Sequence, residues 1–214
     1  MRIAVRNRQW IVFPVLASIV ASLLVVVVWS GMQGAGATNR LRAHISFVSY
    51  PSVEELSAAS ELVILGKVEG VVARQADYGG EEALHKADDW AGLPMVFYRV
   101  AVTETLQGQA TDTIVVSSFD ADLLIVDNVT PLRPGQEVLL FLAADRSPGI
   151  TVVGERYAVL GGDNGGFDVL PGGLVQPRRP SVFRDWQGEH AAEPLTYSLA
   201  EVQQRVRGRA LVSP

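Results

Sequence analysis

Two groups of side chains in this 214-residue sequence could do chemistry. The first is acidic. Asp120, Asp122 and Asp127 fall close together, and the first two offer the oxygen donors that a calcium loop uses. Joined by His85, the same pair would suit an exported hydrolase or a metal-dependent enzyme, with carboxylates as ligands or bases and imidazole as proton carrier. The surroundings favour a plainer reading. The EF-hand spacing is absent, and the apolar run Leu123-Leu124-Ile125-Val126 separates Asp127 from its fellows, so the cluster reads as a solvated loop edge. His44, His85 and His190 lack the close histidine or carboxylate pairing of a zinc helix. There is no G-x-S-x-G elbow and no phosphate loop ending in Gly-Lys-Ser/Thr. Asp163-Asn164-Gly165-Gly166 has the composition of a hairpin turn rather than of a cation site. The absence of cysteine excludes disulfides, thiolate metal ligands and a cysteine nucleophile. The expectation is therefore a protein without catalytic residues, metal or cofactor.

The second group is aromatic. Phe97 lies with Tyr98 and Arg99 on one apolar segment, Phe119 ends another, and Trp90 sits in a polar stretch. Trp90, Phe97 and Phe119 are candidate contacts for a protein or a glycan, with core packing as the plain alternative. Nucleic acid is a poor partner. Beyond residue 37 the chain carries 15 basic against 23 acidic residues, a net charge of −8 that repels phosphate.

These residues hang on elements that the sequence spells out unevenly. The stretch 61–73, ELVILGKVEGVVA, reads as the organising strand: Leu62 to Leu65 is continuously apolar, which suits a strand covered on both faces. Gly66 and Gly70 within it mark a bulge, a bend or a close backbone approach, as the corner of a small barrel requires. Further strands are expected over 95–106, 113–118, 138–143, 157–160 and 167–170. Ser52 with Glu55, and Ser198 with Glu201, are capping boxes that open a short helix to about Ser60 and a second one stopping at Gly208. The stretch 75–94 reads as a long polar loop, and 171–194 as a surface excursion with little regular structure.

Gln9 to Asn39 carries no charge, and the apolar run between Trp10 and Trp29 is about long enough to cross a bilayer core of roughly 30 Å. Arg2, Arg6 and Arg8 precede it, which places the amino terminus in the cytoplasm and the bulk outside. A retained single-pass anchor is the expectation; cleavage after Ala37, with secretion, is the alternative. The resulting organisation is a cytoplasmic tail (1–9), a transmembrane anchor or signal segment (10–32), a linker and lead-in (33–49), a barrel domain (50–207) and a tail (208–214).

The order of motifs resembles a known family. Ser60-Glu61-Leu62-Val63 with Gly66 and Val68 follows a helix; Tyr98, Val100, Val102, Leu106 and Gly108 come next; then Leu132, Gly135, Leu139, Phe141 and Leu142, a glycine-rich hairpin and a last helix. This pattern resembles the netrin-like or TIMP-like domains, in a cysteine-free bacterial exported version, over about residues 50–207. The resemblance implies a mainly β fold with flanking helices: a small OB-like β-barrel between a short N-terminal helix and a C-terminal helix, preceded by one transmembrane helix. It also implies a binding or scaffold role outside the membrane. The inhibitors of that family act through an amino-terminal cysteine on a catalytic zinc, and this chain has none. The functional expectation is a membrane-tethered extracytoplasmic domain that binds a protein at the cell surface, with an exported enzyme and a carbohydrate-binding module as alternatives.

Overall fold

The computed structural model describes residues 40–79, 92–179 and 195–210. In chain order the elements are β1 (Leu41–Ala43), α1 (Val53–Ala59), β2 (Leu62–Asp77), β3 (Leu93–Gln107), β4 (Thr113–Phe119), β5 (Leu124–Val126), β6 (Glu137–Ala144), β7 (Arg156–Val159), a 3-10 turn (Gly162–Gly165), β8 (Gly166–Leu170), β9 (Leu174–Pro177), β10 (Tyr197–Ser198) and α2 (Leu199–Ala210). The fold is mainly β, one large sheet with two helices against it.

The apolar runs of β2 and β6 explain how it is built. Leu62, Ile64, Val68, Val138, Leu140 and Leu142 point one way, into a cluster with Val96, Tyr98 and Val100 of β3 and Ile114 and Val116 of β4. The residues between them, Val63, Leu65, Leu139 and Phe141, point the other way and pack on Val53 and Leu56 of α1 and Val202 and Val206 of α2. Both faces of these two strands are therefore buried, which is why their sequences are continuously apolar instead of alternating.

The sheet order is β10-β9-β8-β6-β2-β3-β4-β7, and β7 also pairs with β6. The five strands β6, β2, β3, β4 and β7 thus form a closed circuit, with β4 and β7 parallel and the other neighbours antiparallel. Beyond β7 the chain jogs through the 3-10 turn and resumes pairing with β6 as β8. A two-stranded parallel sheet of β1 and β5 stands apart from the circuit.

The glycines of β2 act as expected. Pairing with β3 shifts register between Leu65 and Gly66 and again between Val68 and Gly70. A Cβ on Gly66 would lie 2.7 Å from the carbonyl oxygen of Ala101, so β2 and β3 approach at a distance that only glycine allows. Ser52 caps α1 by accepting from the amide of Glu55 at 3.2 Å, and Glu54 and Glu55 lie in its first turn, where they favour the helix dipole.

Several expectations are revised. The excursion over 171–194 is not wholly irregular, because Leu174–Pro177 forms β9, whose Val175 is buried in the outer cluster. The helix α2 runs past Gly208 to Ala210; Gly208 keeps helical geometry, and the apolar stripe ending at Val206 already holds the helix on the sheet. The run after Asp122 contains a strand, β5, paired with the lead-in. The expected anchor at 10–32 and the Ala37 site lie outside the described residues. Among the described residues no helix is long and apolar enough to cross a membrane.

Candidate binding pocket

β4 and β7 are parallel, so their carboxyl ends meet at one mouth of the circuit. A pocket of about 190 Å³ opens there; Phe47, Met95, Phe119, Leu132, Val159 and Arg178 are among the residues that line it. Met95 and Phe119 face each other across β3 and β4. Leu132 and Val116 belong both to the lining and to the inner cluster, so the pocket continues the interior of the ring.

One side of the mouth is built from the 3-10 turn. Gly161 and Gly162, at φ 62° and 64°, turn the chain sharply after β7. A Cβ at Gly162 would lie 2.7 Å from the carbonyl oxygen of Asn128, so the turn sits directly on the segment between β5 and β6. The next two side chains fasten it. Asp163 accepts from the amide and from the hydroxyl of Thr130, each at 2.7 Å. Asn164 accepts from the amide of Tyr50 at 2.6 Å and donates to its carbonyl at 3.1 Å. These side chains are buried, Asn164 completely, so the stretch is not a solvated hairpin turn. It is a polar hub that holds backbone groups of two other segments through half-buried hydrogen bonds.

Arg178 closes another side. Its side chain is only 5% exposed; Nε donates to Asp168 at 2.8 Å and Nη1 reaches the carbonyl of Thr130 at 3.4 Å. Nη2 is buried and has no partner among the described residues. Gly166 makes room for this side chain, since a Cβ there would stand 3.0 Å from Arg178 Cδ. Asp168 also accepts from Gln136 at 2.8 Å.

The candidate residues read from the sequence are distributed differently. Phe119 lines the pocket. Phe97 is fully buried, on the strand face opposite Tyr98, and presents no surface to a partner. Trp90, His85 and His190 lie outside the described residues. The three aspartates are not a common site. Asp120, nearly buried, accepts from Arg74 Nε at 2.8 Å, and Asp122 accepts from the same guanidinium at 2.9 Å. Asp127 is held by Arg42 at 3.1 Å and by His44 at 3.3 Å, beside the β1–β5 pair. The Arg42 hydrogen bond, aided by His44, holds the Asp127 carboxyl below its usual value. Burial, reinforced by the charge of Asp120, raises the Tyr98 phenol above 10.0. Among the described residues no group of three or more His, Cys, Asp or Glu stands together as a metal site.

Sequence reasoning missed Arg178 and the hub. Arg178 is one of two adjacent arginines in a proline- and glycine-rich run, with no periodicity to set it apart. The letters Asp-Asn-Gly-Gly signal a turn whatever the side chains then bind. No family model matches the chain, and no curated protein matches its sequence.

Proposed function

We propose that residues 50–207 are an OB-type barrel of the netrin-like or TIMP-like kind, tethered outside the membrane by the segment 10–32, and that the domain acts by binding a protein partner rather than by catalysis. The observation that carries the binding role is the apolar pocket at the mouth of a closed ring, since such mouths are a recurring place for ligand sites. The closed circuit with one parallel pair, flanked by a helix before its first strand and another after its last, supports the barrel type. The pairing of Asp120 and Asp122 with Arg74 supports a structural role for the carboxylates that an enzyme would otherwise employ.

The test uses the full-length chain in its native membrane. A photoreactive benzoylphenylalanine replaces Phe119 at the mouth and, separately, Leu174 on β9, which is exposed on another part of the sheet. Irradiation of intact cells is expected to give one discrete heavier adduct from position 119 and none from 174. Absence of any adduct at 119 would refute binding through the mouth. Protease added outside intact cells is expected to remove the barrel and leave a membrane-held stub; a chain recovered in the medium beginning at Thr38 would replace the tether by secretion.

A further inference from the structure

We infer that the pocket takes a compact, uncharged apolar group of the protein partner that bears a carbonyl oxygen, which accepts a hydrogen bond from the guanidinium of Arg178. The inference rests on reading the mouth as a binding site and adds the class of ligand.

Three observations lead to it. The first is size. About 190 Å³ is below the roughly 300–1,000 Å³ of sites for drug-sized molecules, and above the ~150 Å³ cavity that accepts benzene. A single ring or a short branched chain with one small polar group fits such a space. The second is the unused donor. The guanidinium is held firmly at Nε, weakly at Nη1 and not at all at Nη2. Burying a donor without an acceptor is costly, and a ligand oxygen removes that cost. Nη2 is buried, so a ligand oxygen reaches it only if the guanidinium turns about its bond to Asp168.

The third observation is charge. The positive charge of Arg178 is already matched by Asp168, and Asp163 also lines the pocket with its oxygens engaged by Thr130. The site therefore lacks a lone pair, not a negative charge. A carboxylate ligand would add a further anion beside two aspartates. An amide, ester or lactone supplies the acceptor without that repulsion.

The experiment uses the full-length protein in detergent micelles, with benzamide, benzoate and benzylamine as probes of equal ring size. Binding is followed through the broadening of the probes' own ring-proton signals, which reads every variant, and in the unsubstituted chain also through the side-chain Nε–H signal of Arg178, identified by its loss in Arg178→Lys. Benzamide is expected to bind with a Kd on the order of 1 mM, as its small size dictates. Benzoate and benzylamine are expected to bind at least about tenfold more weakly, as is benzamide to Arg178→Lys, the usual effect of losing one charge-assisted hydrogen bond. Val159→Phe, which adds a ring to the pocket lining and leaves Arg178 in place, is expected to abolish benzamide binding with the far-ultraviolet circular dichroism unchanged. Benzoate binding as tightly as benzamide, or benzamide binding undiminished in either variant, would overturn the inference. The Val159→Phe arm decides the matter if Arg178→Lys fails to fold. Loss of benzamide binding with the Phe119 adduct intact would remove this ligand class and leave the binding role standing; loss of both would remove the role itself.

Discussion

The helix-covered side of the sheet and the pocket mouth are closed by different physics. On the covered side, Val63, Leu65, Leu139 and Phe141 meet Val53, Leu56, Val202 and Val206, and this core of the contact is apolar, with hydrogen bonds from Ser57 to Gln107 and from Gln203 to Glu104 beside it. Its stability comes from area removed from water, about 25 cal/mol per Å², and it is indifferent to small changes of angle. At the mouth, Asp163, Asn164 and Arg178 hold segments in place through hydrogen bonds of defined direction. A site that must be open cannot be sealed by packing alone. The difference teaches that the mouth is fastened by polar side chains that cap backbone, which leaves apolar surface uncovered beside them.

Three substitutions or titrations would break or sharpen this contrast. Phe141→Ala removes a fully buried ring that packs, tilted by 50°, against Phe167 with centroids 5.6 Å apart, and should cost about 3–5 kcal/mol in urea unfolding. Pocket binding should survive in the fraction that stays folded. Asn164→Ala should cost less, about 1–3 kcal/mol, because it leaves the amide and carbonyl of Tyr50 unserved. Its mark should be local: faster hydrogen exchange at Tyr50 and weaker ligand binding, with little change in exchange at Leu140. An equal loss of protection at both sites would show that hub and core unfold as one unit.

The smallest effect is expected at Asp127, away from both regions. Its folded pKa lies below 3.8, so its pairing contributes above that value and is lost as pH falls through the lower folded one. Carbon NMR of its carboxyl should give a midpoint under 3.8, returning towards 3.8 in Arg42→Ala. A midpoint unchanged by that substitution would detach the β1–β5 sheet from its ion pair.

The same contrast governs what could be read in the sequence. The six main strands of the large sheet and both helices were legible, because Leu62–Leu65, Val138–Leu142, the Ser52 cap and the apolar spacing of Leu199, Val202 and Val206 state their environments in local letters. Gly66 was legible as a close approach, though not its partner, Ala101. The short strands β1, β5 and β9 were not, since three or four residues carry too little periodicity and owe their conformation to a distant neighbour. Of the pocket, only Phe119 could be named in advance. Asp163 and Thr130 are 33 positions apart and Tyr50 and Asn164 are 114 apart, so nothing local announces that they meet. Arg178 is set apart only by its burial, which is a tertiary property.

The four-residue β7 is bonded on one edge to β4 and on the other to β6. It is the keystone of the circle, and it arrives late in the chain. A truncated product ending before Arg156 would leave the circuit with two raw strand borders, on β4 and β6, where the closed circuit has none, each a template for joining a second molecule. Any soluble fragment must therefore reach beyond Val159, and a translation stall short of that point would yield a self-associating species.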